Sequence, residues 1–379
     1  MDDDRAHDHS SVAVSNPETE RFSAAYKVLE QALERHAFPG CAFGVLAGGE
    51  VVLADALGRF TYEEDAPAVR PDTVFDIASL TKVVSTTAVA MLLYQLGNLD
   101  VDTPLGELLP GFVVGRDSTE HARMITIRHL LAHSSGLPGY VEFFRSTTTP
   151  AALFRACLEL HIETVPGERA EYSDPGFVLL GKALEVLLHA DLAASAQRMI
   201  FDPLDLTSTR FSPTARERHL IPPTEIDETF RRRRIQGEVQ DENAYVLNGA
   251  AGHAGLFSNV PDLLRFAREI LAGAGSRRTE RALFNADTIE TFAMRQGPEG
   301  SSRALGWDTP SSESSAGRHF SPHSIGHLGY SGCSLWIDLD ADIAVVLLTN
   351  RTWPDRRDQQ IKQIRPAFHD AVREGLQTV

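Results

Sequence analysis

A serine and a lysine stand three residues apart at the head of an apolar segment, residues 74–97 (VFDIASLTKVVSTTAVAMLLYQLG). If this segment is helical, Ser79 and Lys82 share one face of it, and the hydroxyl can touch the ammonium. A serine alcohol is a good nucleophile only when a neighbouring base takes its proton. The pair could therefore support acyl transfer, although the spacing alone is more typical of a solvated helix face.

A second candidate group lies in residues 166–185 (PGERAEYSDPGFVLLGKALE), where an extended stretch leads through a turn into a helix. Tyr172 could move a proton there, and the alternative is a half-buried core tyrosine. Asp174, followed by Pro175, is typical of a helix N-cap with proline at the first helical position. For Asp174 we hold a capping role and a role in the site as equal alternatives.

The third group is in residues 323–340 (HSIGHLGYSGCSLWIDLD), where His327-Leu328-Gly329 lies beside a strand pattern. Its glycines would let a ligand approach the backbone closely. Taken alone, His327 is more typical of a structural histidine than of a catalytic one.

The elements that must position these groups are indicated by the two chain ends. An amphipathic helix over 18–37 is followed by a hairpin turning at Gly48-Gly49. A second hairpin turns at 340–342 and is followed by a helical pattern, in which Pro366 argues against one straight helix. We therefore predict an α/β (α+β) fold with one antiparallel sheet, formed by both ends and flanked by helices.

The middle of the chain is mostly helical in pattern, and 308–322 reads as a loop. We predict a disordered leader over 1–17, a discontinuous α/β domain over 18–78 and 250–379, and a mainly helical domain over 79–249. Together they would form one catalytic unit.

Composition excludes several kinds of partner. The formal net charge of -16 disfavours nucleic acid and anionic membranes, and we expect the basic run 231–234 to be a solvated loop. Three cysteines without metal-like spacing are expected to be free buried thiols: Cys41, Cys157 and Cys333.

The first residues lack the pattern of a secretory signal, and no apolar stretch is long enough to span a bilayer. A cytoplasmic location is therefore expected, or a periplasmic one if a signal preceded this sequence. No cofactor motif is present, no metal site is predicted, and the sequence assigns no oligomeric state.

Together the three groups resemble the serine β-lactamase and penicillin-binding-protein superfamily. The likeness is to its class C, D-alanyl-D-alanine carboxypeptidase and family VIII esterase branch, in which S-x-x-K, Y-x-N and K-T-G or H-x-G occur in this order. Segments 125–140 (ITIRHLLAHSSGLPGY), 241–267 and 304–311 (ALGWDTPS) are similar to that branch too. The resemblance covers about residues 20–375. It implies a β-lactamase/transpeptidase-like fold, with an all-α domain inserted and the site in the cleft between the domains.

The resemblance also implies residue roles. Ser79 would form the acyl-enzyme, and Lys82 and Tyr172 would share its proton. The backbone N–H groups of Ser79 and Tyr330 would form the oxyanion hole. The matching substrate-binding positions are Asp174, His327 and Gly329.

Two positions depart from the pattern of that branch. Asp174 stands where asparagine is usual, and its carboxylate should raise the pKa of Lys82, which shifts the role of base towards Tyr172. His327 stands where lysine is frequent, and a histidine is largely neutral near pH 7. Recognition of a free substrate carboxylate should therefore be weaker.

Other polar residues are assigned structural roles. His133 is expected to support the fold, the role of His253 stays open, and Asp241-Glu242-Asn243 is expected to be a solvated or capping loop rather than a cation or sugar site.

We expect a serine hydrolase acting on a small-molecule ester, amide or β-lactam. A carboxylesterase or a hydrolase of peptidoglycan-fragment amides is favoured. A class C-like β-lactamase or D-alanyl-D-alanine carboxypeptidase is the first alternative, and a non-catalytic binding protein of the same fold is the second.

Overall fold

The structure is a computed structural model that describes residues 20–116, 119–275 and 282–377. The predicted leader over 1–17 lies outside the described residues.

The secondary structure alternates between strands and mostly short helices. The strands are β1 (Gly40–Ala47), β2 (Glu50–Gly58), β3 (Phe75–Asp76), β4 (Arg210–Phe211), β5 (Pro223–Asp227), β6 (Arg233–Gln236), β7 (Leu256–Ser258), β8 (Ser324–Leu328), β9 (Ser334–Asp338) and β10 (Ile343–Thr349). The α-helices are α1 (Ser23–Glu34), α2 (Ala88–Gln95), α3 (Leu105–Leu108), α4 (Glu120–Met124), α5 (Ile127–Leu131), α6 (Pro150–Leu158), α7 (Asp174–Leu188), α8 (Leu192–Ala196), α9 (Glu242–Val246), α10 (Val260–Ala274), α11 (Ala286–Ala293) and α12 (Ile361–Gln377).

One antiparallel sheet joins the two ends of the chain in the order β2-β1-β10-β9-β8. β1 pairs with β10 in the register Val45↔Val345, and both predicted hairpins form. Gly48 and Gly49 take positive φ in the first turn, which glycine does without steric cost. The predicted fold class is confirmed.

Both faces of this sheet are buried, because successive side chains of a strand point to opposite faces. Phe43 and Val345 join the apolar cluster beneath α1 and α12. Leu46 and Val346 join the larger cluster on the other face, where α10 packs. Gly44 permits the close approach of α10, since a Cβ atom there would lie 2.5 Å from Val260 Cγ1.

The helix α12 continues through Pro366, against the expectation from the sequence. Proline lacks the N–H that would bond to the carbonyl four residues earlier. Burial of Phe368, His369 and Val372 against the sheet and α1 holds the helix together beyond that point.

Between β3 and β7 the chain forms the helices α2 to α9 and a small β5–β6 hairpin. The prediction of a solvated loop at 231–234 holds in part: Arg232, Arg233 and Arg234 are exposed, but β6 begins at Arg233. Arg231 is buried against Asp227, at 3.1 Å, and donates to the carbonyls of Val239 and Gln240. The hairpin needs this guanidinium because two chain carbonyls would otherwise be buried without partners.

Cys41, Cys157 and Cys333 are free and buried, as predicted. Among the described residues, no helix combines the length and apolar character required to cross a bilayer.

The pairing of β8 with β9 generates a first testable prediction. A Cβ atom at Gly326 would lie 2.3 Å from the Trp336 ring opposite it, so Gly326→Ala must displace a buried indole. We expect a loss of about 1–3 kcal/mol in the free energy of unfolding, measured by urea denaturation.

Gly111→Ala is the matched control, because its new Cβ atom would meet only an ordinary contact at 3.4 Å. Equal unfolding midpoints for the two variants would contradict the packing described for β8.

Candidate active site

A single cleft of about 740 Å³ brings together the residues of all three sequence motifs. Lys82 lies directly beneath it, against Ser79. The residues that line the cleft include Ser79, Tyr172, Asp174, Arg303, His327 and Tyr330.

The backbone before Ser79 is held in an unusual turn. Ser79 lies in one turn of 3₁₀-helix, Ala78–Leu80, and Ala78 has a φ of 47°, which is uncommon for a residue with a side chain. The buried Asp76 carboxylate accepts from the N–H of Ala78 at 2.9 Å and from that of Gln240 at 2.7 Å. Asp76 therefore fixes the turn and links it to the segment before α9.

After Ser79 the chain enters a π-helix, Lys82–Thr87, before α2 begins. Such wide turns are rare and occur frequently at functional sites. The sequence predicted a helix here but did not indicate its type. Ser79 and Lys82 still meet, since the Nζ atom of Lys82 lies 3.1 Å from Ser79 Oγ.

The ammonium group of Lys82 is completely buried and has three partners. Besides Ser79 Oγ, it contacts Asp174 Oδ1 at 2.6 Å and the carbonyl oxygen of His253 at 3.1 Å. An ammonium has three N–H donors, so the site uses all of them.

Two opposing effects act on the pKa of Lys82. Burial lowers it most, but the charges and hydrogen bonds of Asp174 and Tyr172 together outweigh burial, and the pKa is raised above that of an ordinary lysine. This is the direction expected from the sequence. The raised pKa and the 2.6 Å contact with Asp174 favour the ammonium form of Lys82, which donates to Ser79 Oγ.

Asp174 is not the N-cap of α7. Of its two predicted roles, the capping role is therefore wrong. Ser173 is the cap, since its Oγ accepts from the N–H of Gly176 at 3.1 Å. Asp174 is instead the first residue of the helix, and its carboxylate pairs with Lys82.

Tyr172 packs over the same ammonium, with Lys82 Nζ 4.7 Å from the centre of its ring. Burial raises the pKa of Tyr172, while the charge of Lys82 opposes this effect. The ring of His133 packs against that of Tyr172, with 4.6 Å between the two ring centroids. His133 Nδ1 accepts a hydrogen bond from the N–H of Ser173 at 3.0 Å. His133 therefore has the structural role that was expected.

His327 lies on β8, almost wholly buried, with its ring 5.9 Å from that of Tyr172. Its Nδ1 donates to the carbonyl of Leu328 at 2.9 Å. Burial, together with the charges of Lys82 and Arg303, holds the pKa of His327 well below its usual range. It is neutral at physiological pH and supplies no fixed charge for a substrate anion.

The loop after β8 approaches the nucleophile turn closely. A Cβ atom at Gly329 would lie 2.5 Å from the carbonyl oxygen of Ile77, so only glycine fits there. The N–H of Tyr330 has no hydrogen-bond partner within the described parts of the chain. An N–H group at this place could stabilise an oxyanion formed at Ser79.

Sequence reasoning missed Arg303, an arginine that lines the cleft beside Tyr172. Its guanidinium carbon lies 5.4 Å from the centre of the Tyr172 ring, and an N–O distance of 3.8 Å separates it from Asp308. No hydrogen bond joins the guanidinium to another described residue. The available signal was its position directly before the family-like segment 304–311.

The segment 241–243 caps α9 as expected, but it is buried rather than solvated. Asp241 Oδ1 accepts from the N–H of Ala244 and also pairs with His253 Nε2 at 2.9 Å. Glu242 pairs with Arg356 at 2.9 Å. His253 thereby gains a role, since its carbonyl binds Lys82 and its ring binds Asp241.

The arrangement fits a serine-hydrolase site: a serine hydroxyl lies beside an ammonium and a phenol, and Tyr330, whose N–H has no partner in the described structure, lines the same cleft. A family model described as beta-lactamase matches residues 26–367, and the chain belongs to the β-lactamase family of serine hydrolases.

Named relatives fit that assignment. The chain is 28% identical over 380 residues to an N-acetylmuramyl-L-alanine amidase of Bacillus subtilis (strain 168), covering 89% of this chain and 84% of the relative. The fold of this chain is similar to that of EstCE1, a hydrolase with promiscuous acyltransferase activity, with a TM-score of 0.74 and 22% identity. The match covers 94% of this chain and 99% of EstCE1. A class C beta lactamase from Rhodobacter sphaeroides matches with a TM-score of 0.69, 22% identity and coverage of 92% and 98%.

The burial of Lys82 generates a second prediction. Asp174→Ala leaves a buried ammonium without its counter-ion, which should cost about 3–5 kcal/mol of unfolding free energy at pH 7. Burial then depresses the pKa of Lys82, so the unfolded state binds more protons and the stability of the variant rises with pH. The deficit should shrink as the pH approaches the ordinary pKa of lysine, as measured by urea denaturation at several pH values.

Lys182→Ala is the control, because it breaks a partly exposed pair with Glu185 in the same helix and should cost no more than about 1 kcal/mol. A deficit for Asp174→Ala that does not change with pH would rule out the ion pair as its cause.

Proposed function

We propose that this hydrolase cleaves a small-molecule ester or amide through an acyl-enzyme at Ser79. A carboxylesterase, or a hydrolase of peptidoglycan-fragment amides, is the activity that fits best. The observation that carries the proposal is the contact of Ser79 Oγ with a buried ammonium, beside a phenol and an unused N–H group. The 28% identity to an N-acetylmuramyl-L-alanine amidase supports the amide branch.

In acylation, Ser79 Oγ attacks the carbonyl carbon of the substrate. Its proton passes to Tyr172 Oη while Oη gives its own proton to the leaving nitrogen or oxygen. This relay needs no free phenolate, which the raised pKa of Tyr172 disfavours. The N–H groups of Ser79 and Tyr330 stabilise the oxyanion.

Deacylation runs through the same groups in reverse. A water molecule attacks the acyl carbon and gives a proton to Tyr172 Oη, which returns its own to Ser79 Oγ as the ester bond breaks. Lys82 stays protonated throughout, because Asp174 holds its charge. Its ammonium stabilises the negative charge that develops on Oη and Oγ during each transfer.

Replacing the nucleophile tests this mechanism. Ser79→Ala should lower hydrolysis of a short-chain nitrophenyl ester by at least about a thousandfold, since no other step forms the acyl-enzyme. Intact-mass analysis of the unaltered protein should show one acyl adduct, and the adduct should be absent from the variant.

Ser85→Ala is the matched control, because it removes a buried hydroxyl in the π-helix Lys82–Thr87 that has no hydrogen-bond partner in the described structure. It should keep its activity within about twofold. Ester hydrolysis that survives Ser79→Ala would overturn the mechanism.

Arg303 favours a second candidate, in which the leaving group carries a carboxylate, as in a D-alanyl peptide or a β-lactam. Its guanidinium lies against Tyr172, the residue that protonates the leaving group in this proposal, and its donors are not used by the protein. A charge-assisted bond to such a carboxylate would replace the contact that neutral His327 cannot provide.

A pair of substrates separates the two candidates. Arg303→Gln should lower kcat/KM for an acyl-amino acid with a free carboxylate by about tenfold to a hundredfold. It should leave a neutral nitrophenyl ester within about threefold of the original rate.

Arg295→Gln removes a nearby arginine that bonds to Thr309 outside the cleft, and it serves as the control for charge alone. An equal loss on both substrates would exclude carboxylate recognition by Arg303.

A further inference from the structure

The loop Gly329–Cys333 carries the unused N–H of Tyr330, and its carbonyl groups are held from behind by arginines. Arg365 of α12 donates through Nη2 to the carbonyl of Gly329 at 2.5 Å and to that of Cys333 at 2.9 Å. Its Nε donates to the carbonyl of Gly332 at 3.1 Å. Arg351 donates to the carbonyl of Tyr330 at 2.8 Å.

One of these bonds has a special geometry. The carbonyl of Gly329 and the N–H of Tyr330 belong to the same peptide unit, which is planar and trans, so the two bonds point in opposite directions. Arg365, together with the N–H of Gly332 at 3.0 Å, binds the carbonyl end, so the N–H end points away from the Arg365 guanidinium. Gly329, Tyr330 and Ser79 line the same cleft, which is where an N–H donor is needed.

The surroundings of Arg365 restrict its motion and strengthen its hydrogen bonds to these carbonyl groups. The residue is 6% exposed, and no carboxylate among the described residues pairs with it. Its charge is therefore satisfied by peptide carbonyls alone. Burial lowers the pKa of Arg365 to about 10, so the guanidinium stays charged at neutral pH. A cation on the carbonyl oxygen polarises the peptide group and makes its N–H a stronger donor.

We propose that Arg365 is a positioning residue of the oxyanion hole, which orients and polarises the Gly329–Tyr330 peptide so that the Tyr330 N–H faces the cleft. The proposal rests on the acyl-enzyme function proposed above. Arg365 also borders the cleft, but its donors go to the carbonyls of Gly329, Gly332 and Cys333 and none goes to Ser79, so it acts through the peptide group that it binds. Removing it should weaken binding of the transition state more than binding of the substrate, since the oxyanion forms only in the transition state.

The test compares Arg365→Lys with the unaltered enzyme on a neutral nitrophenyl ester. Loss of an oxyanion-hole donor costs about a hundredfold to a thousandfold in kcat, so a misaligned donor should cost about tenfold to a hundredfold. KM should change less than threefold. The affinity of a boronic acid, whose tetrahedral adduct with serine mimics the oxyanion, should fall by a factor similar to that of kcat.

Arg373→Lys is the matched control. Arg373 lies on the same helix, is 11% exposed in its side chain, and pairs with Asp338 at 3.2 Å at the other end of β9. It should destabilise the protein about as much as Arg365→Lys does, while kcat and boronate affinity stay within twofold. Arg365→Gln, which keeps a planar donor, is measured if the lysine variant does not fold, and the same losses are expected.

The inference is overturned if the folded Arg365 variants keep kcat and boronate affinity within twofold. It is also overturned if the variants at Arg365 and at Arg373 both lose activity in proportion to their loss of unfolding free energy. Intact-mass analysis of the unaltered enzyme distinguishes these failures from failure of the proposed function. Absence of an acyl adduct there would reject the acyl-enzyme itself, whereas an adduct with unchanged Arg365 variants would reject only the positioning role.

Discussion

The buried contact between Lys82 and Asp174 is the interaction on which the rest of the site depends. Its 2.6 Å distance ties the π-helix after Ser79 to the first turn of α7, and the third donor of Lys82 ties both to the segment before β7. A buried charge is costly unless its partners are complete, so these three segments must keep their relative positions. Tyr172 and Ser79 are placed by the same constraint, since both lie against that ammonium.

Two kinds of arginine line the cleft beside this pair, and their partners distinguish what they do. Arg365 and Arg351 donate to carbonyls of the loop that carries Tyr330, and Arg356 is bound to Glu225 and Glu242. These side chains hold the cleft in shape. The guanidinium of Arg303 has only a long contact with Asp308 and the face of Tyr172, so it is available to a substrate anion. In the proposed mechanism the cleft would therefore combine a rigid oxyanion side with a cation on the leaving-group side.

Much of the fold could be predicted from the sequence, because hairpin turns and apolar spacing are local signals. The two hairpins and the helices around α7 and α10 followed from such signals, as did the meeting of Ser79 with Lys82. The N-cap at Ser173 was missed because the neighbouring Asp174-Pro175 gives an equally typical capping signal. The buried Arg231 and the positions of Arg303 and Arg365 could not be predicted, since each depends on which carbonyl or carboxylate the fold brings near. The raised pKa of Lys82 was anticipated because Asp174 occupies the motif position that contacts the lysine.

The central claim is that Lys82 remains an ammonium while Tyr172 relays the proton. The chain has four lysines, Lys27, Lys82, Lys182 and Lys362, so the ε-carbon signals in a ¹³C-lysine NMR titration can be assigned with Lys82→Met. The account predicts that the Lys82 signal shows no titration below the pH at which the exposed lysines lose their protons. A Lys82 signal that titrates near pH 7 would contradict it, because a neutral amine beside Ser79 would then be the base.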